Sequence, residues 1–146
     1  MRFKFFITLT IVLLLNMAAS AFTKSGDGEL DAALVTLNAT ARRDFGSFKT
    51  EIAVGYNVTE SKVDYLYASL KMEPADIFMA CALARIASVS VDKVVVVYKA
   101  NKAKGWGYIA QQLGIKPGSK EFHALKGKAN KHEEKIKIKV KGKKKK

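Results

Sequence analysis

Cysteine, proline, tryptophan and histidine are all scarce. Among 146 residues there are one Cys, two Pro, one Trp and two His. A lone cysteine excludes an internal disulfide. Cys81 sits in the run Met79-Ala80-Cys81-Ala82-Leu83, which predicts a buried thiol acting as a small hydrophobe; a dimer bridge or a reactive thiol is the alternative. His123 and His132 match no recognised metal-ligand spacing, so no metal site is expected. A nucleophile, base and orienter set would have to use one of these two histidines, and neither lies in a nucleophile motif. No glycine-rich phosphate loop is present. Glu29, Glu51, Glu60 or Glu73 would each serve in a carboxylate couple, but spacing selects no pair. The expectation is therefore no catalytic residue, no cofactor and no enzymatic activity.

A run of ~20 apolar residues, the length a membrane-spanning helix needs, is also lacking. The nearest approach is residues 5–15, interrupted by Thr8 and Thr10. Arg2 and Lys4 precede it and Ala19-Ser20-Ala21 follows. A basic start, a short apolar run and a small-x-small site together read as a cleavable signal peptide over residues 1–21. Cleavage would leave Phe22 first, and the destination would be the periplasm or the medium. An uncleaved anchor is the bland alternative. No cysteine follows the small residues, which argues against a lipid-anchored start.

Acidic residues are few: 13 against 26 Lys plus Arg, a formal net charge of +13. The imbalance is local. Residues 22–125 hold 13 basic and 11 acidic side chains, whereas residues 126–146 hold 11 lysines against Glu133 and Glu134. A like-charge block of this kind predicts a solvated, disordered arm.

Between these ends the apolar spacing is helical. Residues 22–29 read as a leader. Leu30, Ala33, Leu34, Leu37 and Ala41 step by three and four, and Phe45, Phe48 and Ile52 continue the set past Gly46. Ser61 with Asp64 resembles a capping box before Val63, Leu66, Tyr67 and Leu70. Pro74 suits a first helical turn, ahead of the stripe Ile77, Ala80, Cys81, Ala84 and Ala87. Ser90 caps a further segment in which residues 94–97 are all valine. Such residues favour a strand, but with no partner strand in view a buried helix is the preferred reading. Tyr108, Ile109, Ala110 and Leu113 form a brief helix stopped by Gly114. Pro117-Gly118 fits a type II turn, and Ser119 caps a last helix with Phe122, Ala124 and Leu125. The prediction is an all-α single small domain of five or six short helices over residues 30–125, with a disordered basic C-terminal tail over residues 126–146.

The block Gly-Trp-Gly-Tyr-Ile-Ala-Gln-Gln-Leu-Gly-Ile-Lys-Pro-Gly-Ser-Lys-Glu-Phe-His-Ala-Leu-Lys, residues 105–126, resembles one found in small exported bacterial proteins of unknown function that also end in a Lys-rich tail. The likeness extends more loosely back to about residue 37. It implies an exported helical protein from a bacterium and carries over no functional residue.

The clearest functional candidates are the tail lysines: Lys126, Lys128, Lys131, Lys135, Lys137, Lys139, Lys141, Lys143, Lys144, Lys145 and Lys146. Such ammonium groups attract anionic polymers or a membrane surface, with affinity that falls steeply as salt rises. A solubilising tail without a chosen partner is the plain alternative. Residues 135–141 alternate Lys with Ile or Val, which would suit a strand only against a partner. The 105–126 block also looks like a helix-turn-helix, whose second helix would offer Lys120 and His123 to nucleic acid, with Lys116 at its entrance. Arg, Asn and Gln, the usual base readers, are missing from that helix, and a tight corner with Trp106 and Phe122 in the core is the competing reading. Asn38-Ala39-Thr40 and Asn57-Val58-Thr59 match the glycosylation pattern, which matters only in a eukaryotic secretory host.

Overall fold

Asp27 has the side chain to open a helix, and its carboxylate accepts from Glu29 N and Leu30 N. Caps of this type stabilise a helix by ~1 kcal/mol. The helix that follows, α1 (Gly28–Arg43), has Glu29 and Asp31 in its first turn and Arg42 and Arg43 in its last, as the helix dipole favours. A computed structural model describes residues 22–116 and 118–145. The expected signal peptide, Pro117 and Lys146 lie outside the described residues.

Six further helices follow: α2 (Phe45–Tyr56), α3 (Glu60–Asp64), α4 (Pro74–Ala87), α5 (Val91–Asn101), α6 (Trp106–Gln112) and α7 (Lys120–Lys143). The fold is all-α, with no strand among the described residues. The count among the described residues is seven rather than five or six, because the apolar set from Leu30 to Ile52 is divided between two helices. The set does not run through as one helix past Gly46: Asp44 ends α1 and also caps α2, accepting from Ser47 N at 3.0 Å and Ser47 Oγ at 2.7 Å. The next helix is capped by Thr59, not Ser61, and α3 passes directly into a π-helical turn, Tyr65–Ser69.

The four valines at 94–97 lie within α5 and are helical. Val94 and Val95 are buried, Val97 is half-buried and Val96 faces out. At the centre is α4, where every residue from Pro74 to Ala84 is buried. A helix apolar all round belongs inside a core, and its alanines let neighbours approach closely. Cys81 is a buried free thiol there.

Two sequence expectations fail. The tail does not leave the fold at residue 126: α7 runs on to Lys143, burying Ala129, His132 and Ile136 after Phe122 and Leu125. These positions recur at helical spacing, which the two-residue alternation around them conceals. Ile136 is buried and Val140 is partly buried against the core, while Ile138, between them in sequence, is 62% exposed. The helix lies along α1 in the same direction, with Lys126 Nζ 2.6 Å from Glu29, Thr40 Oγ1 3.2 Å from Glu133 and Lys143 Nζ 3.0 Å from Asp44. The leader also fails as a leader. Residues 22–25 form an extended strap on α6: Trp106 N donates to Lys24 O at 2.7 Å and Gly107 N to Ser25 O at 3.0 Å.

Candidate functional site

The lysine segment is divided by its pairings. Lys126 meets Glu29, Lys135 and Lys139 meet Glu51, Lys137 meets Glu133 one turn earlier, and Lys143 meets Asp44. Lys128, Lys131, Lys141, Lys144 and Lys145 make no ion pair among the described residues. At ~3.6 residues per turn, Lys131, Ile138 and Lys141 fall on the side of α7 opposite Ala129 and Ile136, and Lys144 and Lys145 follow in the turn after its last residue. Lys131, Lys141, Lys144 and Lys145 are exposed. The outer side of α7 is therefore predominantly cationic, with the exposed Glu134 between Lys131 and Lys141.

What fastens α7 is a cluster at Glu51 on α2. This carboxylate is buried, and its Oε1 lies 3.1 Å from His132 Nδ1 and 2.8 Å from Lys135 Nζ, while Lys139 Nζ stands 3.4 Å from Oε2. Burial alone pushes the Glu51 carboxyl up, but the Lys135 and His132 contacts outweigh it and hold the group below its ordinary value. Burial pushes His132 down, against the pull of Glu51. The imidazole packs on Tyr56, with ring centres 5.4 Å apart, and edge-on to Phe78. Beneath it is Gly55, where an added Cβ would come within 2.9 Å of His132 Cε1. The burial of His132 is legible only in its helical spacing with Ala129 and Ile136.

A second polar cluster surrounds Asp76 on α4. Its Oδ1 accepts from Trp106 Nε1 at 2.8 Å and from Thr23 N at 2.9 Å, and its Oδ2 from Tyr98 OH at 3.3 Å. Burial, only partly offset by these donors, pushes the Asp76 carboxyl up to about 6. The Tyr98 hydroxyl is pushed up to about 12 by burial and then by the nearby Asp76 charge. Trp106 stacks on Tyr98 with ring centres 5.0 Å apart. Both Trp106 and Phe122 are core aromatics, as one sequence reading had it. Sequence reasoning passed over Asp76; the signal was a single acid inside an apolar helix, in a chain whose one buried indole N–H needs an acceptor.

At the helical corner Lys116 and Lys120 are exposed, and His123 Nδ1 stands 3.7 Å from Asp27. These three therefore flank the start of α7 while the lysine face occupies its length. Cys81 lies far from ionising, its thiol pushed up to about 12 by burial. Among the described residues, no three His, Cys, Asp or Glu side chains converge as metal ligands. No helix among them is long and apolar enough to cross a membrane. No family model matches the chain, nor does any curated protein or solved structure.

Proposed function

We propose that the chain is an exported, non-enzymatic helical module that adheres to anionic surfaces of the cell envelope through the lysine face of α7. The observation that carries this reading is the set of exposed lysines without an ion pair among the described residues: Lys131 and Lys141 stand on the outer side of a helix whose inner face is anchored at Glu51, and Lys144 and Lys145 follow in the turn at its end. Each lysine near an anionic membrane contributes ~1 kcal/mol. A preformed array loses less conformational freedom on binding than a loose arm would. The attachment is electrostatic: a helix that inserts into an interface needs a free apolar face, and that of α7 is packed on the domain, leaving Ile138 alone outside. Export rests on residues 1–21 as a signal peptide.

The test is retention on anionic and neutral vesicles over a range of salt, for the wild type and a Lys131→Gln, Lys141→Gln, Lys145→Gln variant. The wild type should bind anionic vesicles only and release with salt, and the variant should bind several-fold more weakly. Equal retention on neutral vesicles would overturn the reading. Released nucleic acid is the alternative partner, favoured by the continuity of exposed Lys116 and Lys120 with the same helix. DNA binding that survives the triple substitution but is lost in Lys116→Gln, Lys120→Gln would make the corner the binder.

A further inference from the structure

Two carboxylates are buried among the described residues, and they are treated oppositely. Glu51 has the two ammonium groups of Lys135 and Lys139 on it, together with the His132 imidazole. Asp76, 2% exposed, enters no ion pair among the described residues; its donors are the neutral groups of Thr23, Trp106 and Tyr98. The negative charge of Glu73 opposes its ionisation further. A buried carboxylate without a counter-charge is costly, and a fold that builds three donors around one implies a charge still to come.

The strap brings the chain's Phe22 nitrogen into the same neighbourhood. Thr23 N touches Asp76 Oδ1, and the nitrogen of Phe22 is three covalent bonds from Thr23 N, hence within about 4 Å of it. Phe22 is itself packed against the core. In the unprocessed chain that nitrogen is a neutral amide. We propose that cleavage after Ala21 completes the Asp76 site: the α-ammonium of Phe22 becomes the missing cation and locks the strap onto α4 and α6. The inference rests on the export reading. Water hydrolyses the Ala21–Phe22 amide, its hydroxyl going to the Ala21 acyl carbon and its hydrogen to the Phe22 nitrogen. The freed amine, with an ordinary pKa of about 7.7–8.0, takes up a further proton at neutral pH. An exported chain is thus less firmly closed before processing than after it.

The groups that bear on Asp76 are Tyr98 from α5, Glu73 ahead of α4, and the N–H donors of Trp106 from α6 and Thr23 from the strap. Glycine is required where the strap meets α6, since a Cβ on Gly105 would come within 2.9 Å of Lys24 O and one on Gly107 within 2.6 Å of Ser25 O. The strap is therefore seated closely enough for one new charge at its end to matter.

The experiment uses the chain beginning at Phe22, released from a fusion without added residues, beside the same protein acetylated on that amine, each also as Asp76→Asn. At neutral pH, acetylation should lower the melting temperature by several degrees and speed exchange of the Trp106 and Gly107 amide hydrogens. The difference should close as the amine loses its proton at high pH, and be absent in Asp76→Asn. Acetylation without effect, or with the same effect in Asp76→Asn, overturns the proposal. Should Asp76→Asn not fold, titration of the Phe22 amine in the wild type decides: a pKa above about 8 supports the pair, and an ordinary one overturns it. N-terminal sequencing of exported protein tests processing separately. A first residue other than Phe22 would sink the processing site, while the Phe22-initiated protein still reports on the ion pair.

Discussion

Glu51 on α2 and His132 on α7 meet at 3.1 Å inside the molecule, far apart in sequence, and their contact turns a lysine-rich segment into part of the fold. Lys135 and Lys139 close on the same carboxylate. Removing Glu51 would leave one imidazole and two ammonium groups facing each other.

Two isoleucines two residues apart separate a docked helix from a loose arm. Ile136→Ala should destabilise the protein by about 2–5 kcal/mol, because Ile136 is fully buried. Ile138→Ala should change stability by less than about 0.5 kcal/mol. Denaturant melts of both decide it. A chain ending at residue 126 should melt well below full length, having uncovered α1 and α2.

Acid should loosen the α7 anchor. The folded pKa of His132 lies below 6.5, and that of Glu51 below 4.5. Each group therefore contributes stability present above its unfolded pKa and lost as pH falls through its folded value. Melting temperature should fall as pH drops below about 6.5 and again below about 4.5, and His132→Asn should lack the first fall. Asp76 works in the opposite sense: with a folded pKa raised from 3.8 to about 6, it adds stability as pH falls across that window. Acetylated Phe22 should show this gain and the free α-ammonium should erase it.

Glycine substitutions should split by position. Gly107→Ala forces Cβ against Ser25 O and should cost about 1–3 kcal/mol, with faster amide exchange along the strap. Gly127→Ala meets nothing within 4 Å and lies inside α7, so it should stabilise by about 0.5–1 kcal/mol. Thermal melts distinguish the two.

Trp106→Phe keeps most of the buried ring but removes the N–H that donates to Asp76 at 2.8 Å. A lost hydrogen bond to a charged group costs about 1.5–3 kcal/mol. The Asp76 pKa should rise further, readable as a shift of the stability maximum towards lower pH.

The sequence by itself determined the helical class, the apolar stripe of α1, the Pro74 and Ser90 starts, and the buried setting of Cys81. Those features depend on residues within one or two turns of each other, where periodicity and capping chemistry act directly. It also determined that positive charge gathers after Leu125. Only the tertiary structure decided that most of those lysines stand on a docked helix, because Glu51, lying far earlier in the chain, pairs with Lys135 and Lys139, which a local reading counts as mutual repulsion. Tertiary structure likewise turned residues 22–25 from a leader into a strap. Their backbone partners, Trp106 and Gly107, lie some eighty residues away in the chain and are neighbours only in the packed fold, and no local pattern in a short polar segment encodes a hydrogen bond across that separation.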